Sequence, residues 1–136
     1  MDHNGHLGEA YYVLVFGFAT DALTDASGLD AAYQERTGCS LYTVEAHVRH
    51  LREVACGREL TVRTAVLGVD GRKLRLLHEM FAGGPAGGPV ATEELFLLHV
   101  DRSGGRAAPL PDTTRERLAA LVAPAPEWAG HGIREV

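Results

Sequence analysis

The chain has 136 residues, of which 46% are apolar and 23% are charged, and its formal net charge is −5. This length and composition predict a single globular domain with a core of its own. The acidic balance argues against a nucleic-acid-binding protein, which needs a basic face.

Two further features limit the class of protein. The longest apolar run, from Tyr11 to Ala19, is too short to cross a bilayer, and no secretory signal pattern is present. The two cysteines, Cys39 and Cys56, have neither metal-binding nor redox spacing. We therefore expect a cytoplasmic protein with no membrane or nucleic-acid partner, and we favour two reduced, buried thiols over the alternative of a disulfide.

The first predicted element is a helix. Residues 8–26 are too densely apolar for a surface helix and predict a largely buried one. Its N-terminus is expected within residues 4–6, with Asn4 as the N-cap. A second, short helix is predicted from Leu29 to Arg36, and Gly38 would end it.

The pattern then changes to the alternation of a half-buried sheet. Four segments alternate and predict four antiparallel strands, in the order LYTVEAHVRHLREV, ELTVRTAVLGV, KLRLLHEMFA and VATEELFLLHV. Asp70-Gly71 predicts a tight hairpin between the second and the third. A helix from Asp112 to Val122 follows, so residues 1–123 form the predicted domain and residues 124–136 a loose tail. One buried helix against one antiparallel sheet is an α+β architecture.

The polar opening, DHNGH, allows several interpretations. Asp2, Asn4 and His6 could simply cap the helix. They could also place a base and an acid beside amide groups that polarise a carbonyl. A metal site would need further convergent ligands, and the sequence offers no spaced partner pair, so we predict none.

The remaining candidates are similarly ambiguous. Glu53 could form a surface ion pair or bring a second carboxylate to the helix N-terminus. Tyr11, Tyr12 and Tyr42 could be core residues or part of an aromatic box for a cation. The histidines of the predicted strands are expected to be half-exposed sheet residues.

The DHNGH opening before a buried helix resembles the DxNGH opening of hotdog-fold acyl-CoA and acyl-ACP thioesterases. The stretch YTVEAHVRHLREVACGRELTVRTAVLG resembles their second and third strands, and RLLHEM and VATEELFLLHVD resemble their last two. The resemblance extends from Asp2 to about Leu121. It is greatest to the thioesterase domains that accompany L-carnitine dehydrogenase.

The resemblance implies a hotdog fold, in which a long antiparallel sheet wraps a central helix, and a thioesterase without a cofactor. It implies a short, polar acyl-CoA substrate, with betainyl-CoA preferred, and a homodimer or homotetramer with the site at the subunit interface. A non-catalytic module that binds acyl-CoA is the alternative.

The resemblance also implies roles for single residues. Asp2 would be the general base, or else a nucleophile, Asn4 would fix the carbonyl and His6 would orient the proton transfer. Glu53 would be the second carboxylate, facing Asp2 of a partner subunit, and Gly5 would supply an amide. Tyr11, Tyr12 and Tyr42 would face the quaternary ammonium of a betainyl group.

Overall fold

A computed structural model describes residues 8–135, and within this range the α+β prediction is confirmed. The helices are α1 (Glu9–Ala26), α2 (Ala31–Thr37) and α3 (Asp112–Ala119), with a 3-10 turn at Pro85–Gly87. The strands are β1 (Cys39–His50), β2 (Leu60–Val69), β3 (Lys73–Ala82), β4 (Ala91–Asp101) and the two-residue β5 (Arg106–Ala107). None of the helices in this range is long and apolar enough to span a bilayer.

The four long strands form one antiparallel sheet in the order β1-β4-β3-β2, and β5 pairs with the end of β4. The predicted hairpin is confirmed, because the Asp70 amide donates to the Lys73 carbonyl at 2.9 Å. β1 and β2 are the two edges of the sheet, so each has one long side without a partner strand among residues 8–135.

β1 is shorter than the alternation predicts, ending at His50 rather than Val54. Its partner β4 begins at Ala91, the residue opposite His50. Beyond this pair the amides of Leu51 and Arg52 both donate to the Val90 carbonyl, at 2.9 and 3.1 Å. The chain therefore leaves the ladder because the strand that paired with it has ended.

Helix α1 begins later than predicted and is less buried. Gly8 is its N-cap, with φ −70° and ψ 153°, so Asn4 is not the cap. Only two of its apolar side chains are buried, Tyr12 and Phe16. A second apolar stripe is about half exposed or more, formed by Tyr11, Leu14 and Phe18. The density of apolar residues thus reflects two apolar faces, of which the described part of the chain covers one.

The C-terminal segment is not loose. α3 ends three residues before the predicted Val122, which makes a bridge to Val66 on the edge strand β2. The chain then crosses the face of the sheet opposite α1. There the Arg49 guanidinium donates to the Trp128 carbonyl at 2.9 Å and lies 5.0 Å from the centre of the Trp128 ring. The Gly130 amide donates to the Glu94 carboxylate.

The cysteines differ in part from expectation. Both are free thiols, but Cys39 is only half-buried and Cys56 is exposed.

Candidate active site

One apolar cluster joins the beginning of α1 to one end of the sheet. It contains Tyr12 and Phe16 from the helix, Val54 from the loop after β1, and Met80, Val90 and Ala91 from β3, β4 and the turn between them. Three chain segments therefore meet where the helix starts. The unpaired amides of a helix's first turn also favour negative charge at this end.

The residues of the predicted opening, Asp2, Asn4, Gly5 and His6, lie outside the described residues. Glu53 lies in the loop after β1, where its side chain is exposed. Its neighbour Val54 is buried in the cluster that contains Tyr12. The fold thus brings the loop that carries Glu53 to the first turns of α1, which is where the sequence hypothesis needs a second carboxylate.

The three tyrosines do not come together within one chain. Tyr12 is buried, with its ring edge-on to His50 at a centroid distance of 4.9 Å, whereas Tyr11 is 44% exposed. Tyr42 is 64% exposed and lies eight residues from His50 along β1, or about 26 Å. It pairs with Leu98, which alternates with the core residue Leu97, so Tyr42 faces away from α1.

A polar row beneath α1 was not predicted. Glu93 of β4 pairs with Val48 of β1 on one side and His78 of β3 on the other, and His78 pairs with Thr64 of β2. Glu93 and His78 are 4% and 0% exposed. The alternation of β4 contains the signal that would have revealed Glu93. Its face also carries Ala91, Leu95 and Leu97, so an acid there is out of place.

His78 and Glu93 differ in their hydrogen bonds and in the direction of their pKa shifts. Both ring nitrogens of His78 are hydrogen-bonded to threonine hydroxyls, Nε2 to Thr20 at 2.7 Å and Nδ1 to Thr64 at 2.8 Å. The Phe16 ring stacks on the imidazole with a distance of 5.9 Å between the ring centroids. Burial lowers the pKa of His78 to about 4, so the ring is neutral at pH 7. Burial raises the pKa of Glu93 to about 7.

His99 is a second buried histidine, and like His78 it departs from the half-exposed position expected of it. Its Nδ1 is 2.8 Å from the Ala108 carbonyl and its Nε2 is 2.8 Å from the Tyr33 hydroxyl. These bonds tie α2 and the turn after β5 to the sheet, so His99 has a structural role.

Basic side chains flank the same end of the sheet. The Arg58 guanidinium donates to the Ala82 carbonyl at 3.1 Å, and Arg52 lies against Gly87 and Gly88. Both belong to the loop between β1 and β2, whose Val54 packs beside the start of α1. Arg72 and Lys73 lie at the opposite end, in the β2–β3 hairpin. Within residues 8–135 no three acidic, histidine or cysteine side chains are grouped to hold a metal ion.

Comparison with known proteins places this arrangement in a family. Residues 1–118 match the model of the thioesterase-like superfamily. The chain is 41% identical to the betainyl-CoA thioesterase of Pseudomonas aeruginosa, over 98% of this chain and 86% of that protein. It is 46% identical to the L-carnitine dehydrogenase/betainyl-CoA thioesterase of Agrobacterium fabrum, over 100% of this chain but only 28% of that longer protein.

A crystal structure from Pseudomonas putida KT2440 has the same fold. Its TM-score is 0.82 at 38% identity, and the match covers 100% of this chain and 89% of that one. The hotdog-fold prediction, with a long antiparallel sheet against a central helix, is therefore confirmed. The chain belongs to the thioesterase-like superfamily.

Proposed function

We propose that this chain hydrolyses the thioester of betainyl-CoA, releasing glycine betaine and CoA. The observation that carries the proposal is its 41% identity, over 86% of the relative's length, to a protein named for that reaction. The meeting of α1 with the β1–β2 loop, which carries Arg52, Glu53 and Arg58, at one end of the sheet supports it. A thioester carbonyl placed there would lie near a helix N-terminus, and the CoA phosphates near Arg52 and Arg58.

The proposed mechanism assigns the chemistry to the opening motif by its resemblance to the family. Asp2 takes a proton from water, and the resulting hydroxide attacks the thioester carbonyl. Asn4 and backbone amides stabilise the oxyanion, His6 orients the transfer, and the C–S bond breaks to release the CoA thiol. Glu53 is the second carboxylate at this end of the sheet.

The active unit is proposed to be a homodimer or homotetramer with the site at the subunit interface. The exposed apolar stripe of α1 and the position of β1 at the edge of the described sheet both support this. A cytoplasmic location is also proposed, since the free thiols of Cys39 and Cys56 suit a reducing compartment.

The test is the release of CoA thiol from a panel of acyl-CoAs that includes betainyl-CoA. We expect betainyl-CoA to be hydrolysed with the highest kcat/KM of the panel. Asp2→Asn should lower kcat by about 100-fold or more, the usual contribution of a positioned base. The matched control is Asp112→Asn, at the exposed start of α3, which should leave the rate unchanged.

Two results would contradict the proposal in different ways. Hydrolysis of other acyl-CoAs but not of betainyl-CoA would remove the substrate and keep the reaction. Tight CoA binding without turnover of any thioester would favour the non-catalytic binding module.

A further inference from the structure

Glu93 is the one buried carboxylate of the described residues that faces the helix. Its side chain lies on the same side of β4 as Ala91 and Leu95, which pack in the two apolar clusters beneath α1. Glu93 is two residues from Ala91 along β4, which is the next position on the same face and about 7 Å away. Ala91 in turn belongs to the cluster of Tyr12 and Val54 at the start of the helix. Glu93 is therefore one layer deeper in the protein than the proposed reaction centre.

No cation within the described residues compensates the charge of Glu93. Its neighbours in the row are Val48 and His78, and both nitrogens of His78 are already bonded to threonine hydroxyls. The adjacent acid, Glu94, shows the contrast. It lies on the opposite face, 3.4 Å from the Arg75 guanidinium, and accepts the Gly130 amide at 3.0 and 2.9 Å.

The carboxylate of Glu93 is nevertheless not completely enclosed. Every fully buried side-chain oxygen or nitrogen in residues 8–135 has a hydrogen-bond partner, and no side-chain bond joins Glu93 to another residue there. Its oxygens are therefore not fully enclosed, although the residue is only 4% exposed. On the β1 side of this face Ala46 and His50, the neighbours of Val48, are exposed.

We infer that Glu93 is the specificity-determining residue that binds the cationic end of the acyl group. The inference rests on the proposed function. A quaternary ammonium has no N–H to donate, so it is recognised by charge and by aromatic faces. Glu93 supplies the charge, and the buried aromatic residues of α1, Tyr12 and Phe16, line the same cluster as Ala91. In betainyl-CoA the nitrogen is two bonds from the carbonyl carbon, so both must bind within a few ångströms.

The state of the carboxyl supports this role. Burial without a partner raises the pKa of Glu93 to about 7. A cation bound beside it would favour the ionised form, and would itself be favoured over a neutral group of the same shape.

The experiment compares betainyl-CoA with 3,3-dimethylbutyryl-CoA, in which carbon replaces the ammonium nitrogen. The variants are Glu93→Gln, which keeps the shape and removes the charge, and Glu94→Gln as the matched control on the opposite face. We expect Glu93→Gln to lower kcat/KM for betainyl-CoA by at least about 10-fold and to leave the neutral substrate unchanged or improved. Glu94→Gln should leave the ratio of the two substrates as it is in the wild type.

An equal loss on both substrates would overturn the inference and assign Glu93 a structural role. Failure of the proposed function would look different, since the wild type would then not hydrolyse betainyl-CoA. For that case the titration of Glu93 is followed by carboxyl NMR with glycine betaine and with 3,3-dimethylbutyrate. Only glycine betaine, which carries the quaternary ammonium, should lower the pKa of Glu93. An unchanged pKa with both ligands also overturns the inference.

Discussion

At the scale of single residues, Glu93 and His78 give opposite pH dependences to stability. The pKa of Glu93 rises to about 7 in the folded protein, so the folded state binds the extra proton above pH 4.5 and stability falls as the pH rises towards 7. The pKa of His78 falls to about 4, so the unfolded state binds the extra proton and stability rises between about pH 4 and 6.5. The two contributions largely cancel in the range that they share.

The variant Glu93→Gln removes the pH-dependent contribution of Glu93 to stability and leaves that of His78. At pH 8 it should be more stable than the wild type by about 2 kcal/mol, less than the full linkage value because the carboxylate reaches solvent. At pH 5 the two proteins should be nearly equal. The free energy of unfolding in urea, measured at one protein concentration, checks this. Equal stabilities at both pH values would mean that Glu93 is solvated in the folded protein.

At the scale of elements, the C-terminal segment is the part that sequence reasoning misjudged. Truncating Trp128 to alanine removes a half-buried ring and its contact with Arg49. We expect a loss of about 1–2 kcal/mol, below the value for a fully buried aromatic residue. Ile133→Ala is the control, since Ile133 is 85% exposed and should not change the unfolding free energy. If Trp128→Ala also had no effect, this segment would not be bound to the sheet in solution.

Features that depend on local sequence are predicted correctly, and features that depend on contacts between distant residues are missed. The strands and the hairpin at Asp70 follow from local alternation and turn chemistry, and they are found where predicted. The end of β1 depends on where β4 begins, and the position of Trp128 depends on Arg49, about eighty positions earlier. Contacts of this kind leave no period in the sequence. The acid of the candidate site is an exception, because Glu93 interrupts an apolar face that the alternation does define.

At the scale of the whole molecule, the apolar stripe of α1 remains exposed to solvent in the single chain. Leu14 is 50% exposed and Phe18 is 62% exposed, one helical turn apart on one face. Val44, in the middle of the open edge strand β1, is 51% exposed. Exposed apolar side chains on a helix and on an edge strand are characteristic of surfaces that an interface buries.

The dimer hypothesis therefore predicts that a charge placed on the apolar stripe of α1 prevents oligomerisation. Phe18→Asp would bury two like charges in a two-fold interface, so the variant should be monomeric at micromolar concentration. It should also lose hydrolysis of betainyl-CoA, because the proposed site includes Glu53 facing Asp2 of the partner subunit. Ile133→Asp adds the same charge to an exposed position of the C-terminal segment and should remain oligomeric and active. Sedimentation velocity and CoA release measured on the same samples make the test. A monomeric Phe18→Asp variant with wild-type activity would place the whole site within one chain, and Glu53 would then act beside Asp2 of its own chain.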